Sequence, residues 1–244
     1  MTFSAIGRTS AAVGCVVGML VSVGVAHAAT STTAPAGTPA PTGNVEPALD
    51  PANGAVEVVA TGAPVDGRIP VLVQNGTAAP VRNVRVSAVA TTADGTRSTK
   101  VSTRSLLPST LAPGAIALAA LEFDADDVDP DSTLTYMVSS GRAGSAAAGD
   151  GTALEIGSLA LSAPLTGDVA QTLRLTVTNP TSRTIRGPIR VRVMCFGEAR
   201  RPAVAVDSRI KRPKLAADAD VSATVELREL CPSYLVAAKG RSAG

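Results

Sequence analysis

The residues best suited to binding chemistry are arginines and lysines concentrated in one stretch of the chain, residues 183–214. Ten cationic side chains lie in this stretch, against only two acidic ones, Glu198 and Asp207. Arg190 and Arg192 alternate with valines, so in a β-strand they share one face, which we expect to be the solvent face. Arginine can pair bidentately with phosphate, so the pattern predicts a surface for an anionic partner. The residues assigned to this surface are Arg190, Arg192, Arg209, Lys211, Arg212 and Lys214.

Two other interpretations of this charge stay open. The cations could form an ordinary solvated sheet face, since the chain contains 18 arginines and 4 lysines, a bias that indicates a high-GC bacterium. The cations could also attract the other half of the chain, which carries the opposite net charge. Residues 29–152 carry 7 basic and 12 acidic side chains, net −5, and residues 153–244 carry 14 and 8, net +6. Nucleic acid is a poor candidate, because the assigned surface offers no aromatic side chains for base stacking.

The first 28 residues have the features of a cleaved export signal. Arg8 precedes an uncharged run from Ala11 to Val25, and Ala26-His27-Ala28 is an A-x-A cleavage site. The run is short for a bilayer span, so cleavage would leave no transmembrane segment. A lipoprotein signal acylated at Cys15 is the alternative, but it leaves almost no hydrophobic segment before the cysteine. The sequence therefore predicts a secreted protein or one of the cell envelope.

Two cysteines, Cys195 and Cys231, remain in the mature chain, because Cys15 and the only histidine, His27, leave with the signal. The mature chain therefore has no imidazole to act as a general base or metal ligand. Two cysteines in an oxidising compartment most simply form a disulfide, which would contribute about 4 kcal/mol in the chain-entropy model. A redox-active pair is the alternative, but it would favour close spacing and a stabilised thiolate.

A cluster of aspartates offers candidate metal chemistry. The cluster comprises Asp124, Asp126, Asp127, Asp129 and Asp131, all within one turn. Alternating carboxylates can converge on Ca²⁺, but the turn lacks the glycine and terminal glutamate of an EF-hand loop. We therefore interpret the turn as an exposed acidic connection and predict neither a metal nor a cofactor.

Glutamates at matching places suggest a second candidate, a hydrolase that works with carboxylates alone. Glu57 and Glu155 recur at one matching place, and Glu122 and Glu226 at another. Each lies between apolar neighbours on a predicted strand, which puts it on the solvent face. Aromatic side chains that could stack on a sugar make up only 2% of the chain. We therefore predict a protein without catalytic activity.

Composition divides the mature chain into five parts. Residues 29–54 are rich in proline, alanine and threonine and predict a disordered stalk. Residues 55–138 and 153–240 contain alternating apolar residues and turn signals, which predict two β-sandwich domains. Residues 139–152, rich in glycine, alanine and serine, predict a flexible linker. Residues 241–244 are a short tail.

The two predicted domains are copies of one unit. Period-two alternation and short turn spacing indicate six or seven strands per copy, so we predict an all-β fold of two tandem immunoglobulin-like sandwiches. The matched landmarks are Asn75 and Asn179, the alternating strands at 84–90 and 189–195, Leu111 and Leu215, the strands at 117–123 and 221–227, and Tyr136 and Tyr234.

The first copy carries a recognisable series of turn and core residues. A valine strand leads into Asn75, Val84 and Val86 follow, and Asp94-Gly95 and Leu111-Ala112-Pro113-Gly114 come later. In this series the copy resembles the FxLYD-type extracellular domains of bacteria. The resemblance implies an immunoglobulin-like fold and an extracytoplasmic setting, and it carries no catalytic or binding residues.

These features together predict a structural or binding module of the cell envelope, held out on a stalk. Its partner would be an anionic cell-wall polymer or another envelope protein. A periplasmic-type assembly factor or chaperone is a further alternative, and it would need an exposed apolar strand edge. The strand from Thr96 to Arg104 is instead polar and charged, which is the usual protection of an edge.

Overall fold

The computed structural model describes residues 39–50, 52–103, 106–124, 128, 131–142, 151–164 and 170–242. These residues form almost entirely antiparallel β-structure, which confirms the predicted all-β class. Their only helix is a single 3-10 turn at Glu198–Arg200. The predicted export signal, residues 1–28, and the first part of the predicted stalk, residues 29–38, lie outside the described residues.

A short strand, β1 (Thr42–Gly43), precedes two sets of seven strands. The first copy contains β2 (Val56–Thr61), β3 (Arg68–Asn75), β4 (Val81–Thr91), β5 (Ser98–Thr103), β6 (Thr110–Leu111), β7 (Ile116–Glu122) and β8 (Thr133–Arg142). The second contains β9 (Gly151–Leu161), β10 (Gln171–Thr178), β11 (Ile185–Phe196), β12 (Pro202–Ile210), β13 (Lys214–Leu215), β14 (Asp220–Leu227) and β15 (Ser233–Ser242). β8 and β9 extend into the predicted linker from both ends, and β15 extends into the predicted tail.

Both copies contain the same two half-sheets, but the halves are joined at different edges, by β5 and β7 in the first copy and by β9 and β15 in the second. In the first copy β2-β3-β7 form one half of the sheet and β8-β4-β5 the other, with β6 paired to the start of β4. In the second copy the corresponding halves are β9-β10-β14 and β15-β11-β12, with β13 paired to the start of β11. The two halves of each copy face each other, and their inward side chains form one apolar core per copy. Each fully buried Val, Leu or Ile contributes about 1.5–3 kcal/mol to such a core.

A buried asparagine fixes the turn after the second strand of the first copy. Asn75 is fully buried, and its Nδ2 donates to the carbonyl oxygens of Ala79 at 2.8 Å and Leu111 at 3.0 Å. Its Oδ1 accepts from the backbone N–H of Thr77 at 3.1 Å and from the Thr77 hydroxyl at 2.6 Å. The amide therefore holds the turn closed and ties it to β6.

The second copy repeats this arrangement. Asn179 is also fully buried, and its Nδ2 donates to the carbonyl oxygens of Arg183 at 2.8 Å and Leu215 at 3.2 Å, and also to that of Ala216. Its Oδ1 accepts from the N–H and hydroxyl of Thr181, at 3.1 and 2.8 Å. We call these two arrangements the asparagine corners.

A left-handed residue completes each asparagine corner. Gly114 and Asp218 have φ angles of +74° and +52°, and their N–H groups donate to the carbonyl oxygens of Asn75 and Asn179. Glycine adopts this conformation without strain, and aspartate is among the residues that tolerate it best. The replacement of Pro-Gly by Ala-Asp in the second copy is therefore compatible with the same turn.

A third apolar core joins the two copies. The outward faces of β2, β3 and β7 pack against the outward faces of β11, β12 and β15. The buried side chains of this core are Val59, Ala60, Leu72, Leu107, Leu118 and Ala120 from the first copy and Met194, Phe196, Ala205, Leu235 and Ala237 from the second. The described residues accordingly belong to one compact unit.

The second half of the predicted stalk is docked on this unit, contrary to the prediction of disorder over residues 29–54. β1 pairs with β15, and Asn44 donates to the Pro232 carbonyl oxygen at 2.7 Å and accepts from the Tyr234 N–H at 2.8 Å. Val45 and Leu49 pack against the third core. These contacts of Asn44, Val45 and Leu49 hold the segment in place, because the third core that it contacts is already formed by the two copies.

The tyrosines of the last strands are not equivalent. Tyr136 lies opposite Ala88, whereas Val193, the counterpart of Ala88, lies opposite Val236. Tyr136 therefore corresponds in space to Val236 and not to Tyr234. The last strands of the two copies match in fold but are shifted by two residues relative to the sequence alignment.

Candidate functional site: a basic sheet face

A row of three cations crosses the second copy. Arg190 of β11 lies directly opposite Arg209 of β12 on one side and Lys239 of β15 on the other. Their neighbours Val191 and Ala238 point into the core of this copy, so the three cations share the outward face. Neighbouring strands lie about 4.8 Å apart, which places these charged side chains side by side.

A second row lies further along the same strands. Arg186 of β11 is opposite Lys214 of β13 and Arg241 of β15, and all three residues are exposed. Ile185 and Leu215, next to them in sequence, are buried in the core. The second row therefore lies on the same outward face as the first. We call the six residues of the two rows the basic face.

The basic face contains four pairs of like charges directly opposite each other. Such cross-strand pairs are destabilising, by about 0.2–1 kcal/mol each. Within the part of the chain that the structure describes, no carboxylate forms an ion pair with Arg186, Arg190 or Arg209. Lys239 donates to the carbonyl oxygen of Leu106 at 3.0 Å, which orders its side chain.

Arg192 does not belong to the basic face, and its assignment to an exposed anionic-partner surface is wrong. Only 4% of its side chain is exposed. Its Nε and Nη2 donate to the two carboxylate oxygens of Asp207 at 2.7 and 2.9 Å, and its Nη1 donates to the Leu118 carbonyl oxygen at 3.2 Å. The sequence correctly predicted that Arg192 lies on the outward face of β11, but the first copy covers that face at this position.

Asp207 is the centre of an ionic cluster between the copies. It also accepts from Arg68 at 2.8 Å, and Arg68 in turn donates to Glu122 at 3.3 Å and to the Ala205 carbonyl oxygen at 3.0 Å. Burial alone would raise the pKa of Asp207, but hydrogen bonds and charges from Arg192 and Arg68 outweigh it and hold the pKa below its usual value of 3.8. The carboxylate is therefore ionised and shared by two arginines.

The remaining predicted cations lie beside the second row. Lys211 and Arg212 are exposed between β12 and β13. The Arg212 carbonyl lies against Gly187, where any side chain would collide with it, and Gly187 N–H donates to the Pro213 carbonyl oxygen at 3.0 Å. This close approach holds the connection against the start of β11, next to Arg186 of the second row.

The predicted disulfide is present in the second core. Cys195 and Cys231 are bonded, with a Cα–Cα distance of 5.3 Å. Gln171, itself buried, accepts from the Cys231 N–H at 2.7 Å and donates to the Ser162 carbonyl oxygen at 3.3 Å. The glutamine thereby fixes the segment after β14, where Cys231 must lie to reach β11. The first copy has Ala90 at the place of Cys195, so the bond is particular to the second copy.

The matching glutamates are not brought together. Glu155 lies opposite Thr178 and Glu226 opposite Thr172, six residues apart on β10, which is about 20 Å along the strand. The carboxylates of glycosidases are about 5–9.5 Å apart. In the first copy Glu57 and Glu122 lie at the two ends of β3 in the same way.

The aspartate turn offers little for a metal among its described residues. Asp124 and Asp131 are exposed, and Asp126, Asp127 and Asp129 lie outside the described residues. Over the described ranges, no group of three or more metal-ligating side chains is assembled.

Three members of the basic face were not assigned from the sequence. Arg186 lies in the cationic stretch but before the strand whose phase was used. Lys239 and Arg241 lie far from that stretch, on the last strand. Their alternation with Ala238 and Gly240 is the signal that could have placed them on an outward face.

Comparison with protein-family models and with curated proteins found no match. No helix in the described ranges is long and apolar enough to cross a membrane. The function is therefore inferred from the geometry of the basic face.

Proposed function

We propose that this protein is an exported, non-catalytic binding module of a bacterial cell envelope, which docks on a phosphate-bearing anionic polymer through the basic face. The observation that carries the proposal is the pair of cation rows. Six cations from four strands lie on one face, and four directly opposed pairs repel each other. An anionic ligand lying across the rows would relieve this repulsion.

Arginine is well suited to this ligand class. Its planar fork can donate two parallel hydrogen bonds to one phosphate group, and its charge persists at any pH that the envelope experiences. Arg186, Arg190, Arg209 and Arg241 supply four such forks within two rows. A row that crosses three strands spans about 10 Å, so it can contact several charges of one polymer.

The export part of the proposal rests on two features of the chain. Residues 1–28 have the pattern of a cleaved signal. The disulfide between Cys195 and Cys231 is compatible with an oxidising, extracytoplasmic compartment. Membership in the FxLYD-type group also remains part of the proposal, and it is supported by the turn residues of the first copy.

The test is binding of the full chain from Ala29 onward to isolated bacterial cell walls. Binding at about 0.15 M salt should be lost at about 1 M, where screening shortens the Debye length from about 8 Å to about 3 Å. Walls stripped of phosphate polymers should not bind. Vesicles of anionic lipid form a parallel arm that distinguishes head groups from wall polymers as the source of phosphate.

Two variants with the same net charge decide whether the basic face is responsible. The face variant is Arg186→Ser, Arg190→Ser and Arg209→Ser, and the control is Arg85→Ser, Lys100→Ser and Arg174→Ser, three exposed cations on other strands. The face variant should lose at least tenfold in affinity and the control less than threefold. Equal losses, or binding insensitive to salt, would mean that the basic face is only a solvated surface.

A further inference from the structure

A groove of about 700 Å³ lies at the open side of the second copy. Its walls are β12 and the end of β14, the two strands at the ends of the sheet path, and the turn between β2 and β3 borders it. The apolar lining includes Val65, Val204, Val206, Val225 and Leu227. Val204 and Val206 point toward the core of the second copy and are only partly buried, so the core is accessible from this side.

The first copy closes the same place with its own chain. There Ser102 and Thr103 of β5 pair directly with Glu122 and Leu121 of β7, which joins the two halves of the sheet. In the second copy β12 approaches β14 but forms no ladder with it.

Charge explains why the second copy stays open. Asp207 stands at the place of Ser102, and Glu226 at the place of Glu122. The corresponding pairing would put these two carboxylates directly opposite each other, which is unfavourable. Asp207 is instead held by Arg192 and by Arg68 of the first copy, so β12 stays with β11.

The groove presents a free strand edge and apolar side chains to a bound peptide. Among the described strands β14 pairs only with β10, and its other edge borders the groove along Thr224–Leu227. Strand edges of this kind can accept an extended peptide by main-chain hydrogen bonding. Leu230, just beyond the groove's end, is 60% exposed, the highest value for any large apolar side chain in the described residues.

The rim of the groove is acidic. Asp66, Glu226 and Glu229 are exposed there, against one exposed cation, Arg228. Arg68 and Asp207 also line the groove but are bound to each other. An occupant that carries positive charge next to its apolar side chains would complement this rim.

We infer that the groove is a docking site for an extended segment of a partner protein, with alternating apolar side chains and flanking lysines or arginines. The segment adds to the free edge of β14. Its apolar side chains enter the groove beside Val204 and Val206, and its cations lie on the acidic rim. This site is separate from the basic face, which attracts the opposite charge, so the two proposals can fail independently.

The probe is a fluorescent peptide of about eight residues, long enough to follow the roughly 20 Å that Thr224–Glu229 covers. Valines alternate with threonines in it, and lysines flank both ends. The full chain from Ala29 should bind it, and a peptide with glutamates in place of the lysines should bind at least tenfold more weakly. A peptide methylated on alternate backbone nitrogens should also lose binding, because it cannot pair with a strand edge.

Matched variants locate the binding. Glu226→Lys with Glu229→Lys should weaken the lysine peptide at least tenfold, whereas Glu57→Lys with Glu155→Lys, the same charge change on other strands, should not. The basic-face variant should bind the peptide normally. Hydrogen exchange should slow along β14 when the peptide is bound.

Three results would overturn the inference. The first is no binding of the lysine peptide at millimolar concentration. The second is equal binding by the methylated peptide, which would show simple charge attraction without strand addition. The third is concentration-dependent dimerisation with slowed exchange along β14 in the absence of peptide, because the occupant would then be a second copy of this chain.

Discussion

The two copies share their half-sheets and an asparagine corner, yet they join the two halves at different edges. The first copy joins its halves by pairing β5 with β7, whereas in the second β12 and β14 form no ladder and β9 pairs with β15 instead. The copies differ at the position where this pairing would form, Ser102 in the first copy and Asp207 in the second. The serine permits closure, whereas the aspartate turns toward two arginines between the copies. One repeated fold thus leaves a different side without a ladder in each copy, between β2 and β8 in the first and between β12 and β14 in the second.

The proposed binding sites lie mainly where the copies differ. The asparagine corners, which they share, are buried and satisfy backbone groups. The groove, the disulfide and the buried ion pair belong to the second copy. Arg186 and Arg190 of the cation rows have arginine counterparts in the first copy, Arg82 and Arg85, but the cations opposite them are replaced there by neutral residues, Thr110, Ser139 and Gly141. The first copy supplies the surface that covers Arg192 and the turn that borders the groove. We therefore interpret the first copy as a scaffold that positions the surfaces of the second.

Removal of the disulfide, which is particular to the second copy, should have the largest effect on the free energy of unfolding. Cys195→Ala with Cys231→Ala should lower the free energy of unfolding by about 4 kcal/mol in the chain-entropy model, because the unfolded chain regains the freedom of the loop. Urea unfolding of the oxidised wild type and the double variant measures the difference. Reductant should bring the wild type to the level of the variant and leave the variant unchanged. A wild type insensitive to reductant would contradict the structural role of the bond.

Asp207 should come next in effect. Asp207→Ala leaves the buried Arg192 charge without its bidentate partner and should cost about 3 kcal/mol. Its counterpart in the first copy is the matched control, because Ser102 is exposed and Ser102→Ala should change stability by no more than about 0.5 kcal/mol. Similar losses in both variants would show that the ionic cluster does not join the copies.

The pH dependence of the same site has a defined sign. The pKa of Asp207 is lower in the folded protein than its usual value of 3.8, so its contribution to stability is complete above that value. It is lost as the pH falls through the folded pKa. The stability difference between the wild type and Asp207→Asn should therefore be constant near neutral pH and shrink below about pH 4. A difference that grew in acid would contradict the assignment.

The asparagine corners should respond equally in the two copies. Asn75→Ala and Asn179→Ala each leave buried carbonyl groups without donors, and each should cost about 2 kcal/mol. Thr77→Val and Thr181→Val remove the hydroxyl bonds to the asparagine and to the backbone of Ala79 or Arg183 but leave the asparagine amide in place, so they should cost less. Chemical denaturation of the four variants measures these losses. Unequal losses for the two asparagines would show that the corners are alike in geometry but not in energy.

Alternation predicted the strands because inward residues repeat every second position, and this held for both cores. It failed to predict the third core. β3 and β7 read as nearly continuous apolar runs, with Leu72 and Leu118 on the faces expected to be wet. Runs of this kind are typical of strands buried on both faces, so the signal was in the sequence.

The site was harder to predict than the fold. Phase along β11 put Arg190 and Arg192 on one face, but phase alone cannot say that the first copy covers Arg192 and leaves Arg190 partly exposed. Lys239 joins the row only through the pairing of β11 with the last strand, a long-range register that no local pattern contains. The groove, likewise, exists because the edges of β12 and β14 do not pair, and no local sequence pattern shows which strand edges pair.

The smallest expected effect concerns the repulsion within the basic face. Arg209→Ser removes one of two cations directly opposite Arg190, so it should raise the free energy of unfolding by about 0.5 kcal/mol at low salt. The gain should fall toward zero at about 1 M salt, where exposed charges are screened. Arg174→Ser is the matched control, because Arg174 faces the neutral residues Thr224 and Ala160 across its neighbouring strands. It should show no gain at either salt concentration.

Denaturation curves of both variants, measured with and without phosphate polymer, extend the test. The polymer should stabilise the wild type more than Arg209→Ser, because it neutralises a repulsion that the variant has already lost. If Arg209→Ser is less stable than the wild type at low salt, the rows do not repel each other and the main support for the proposed function is removed.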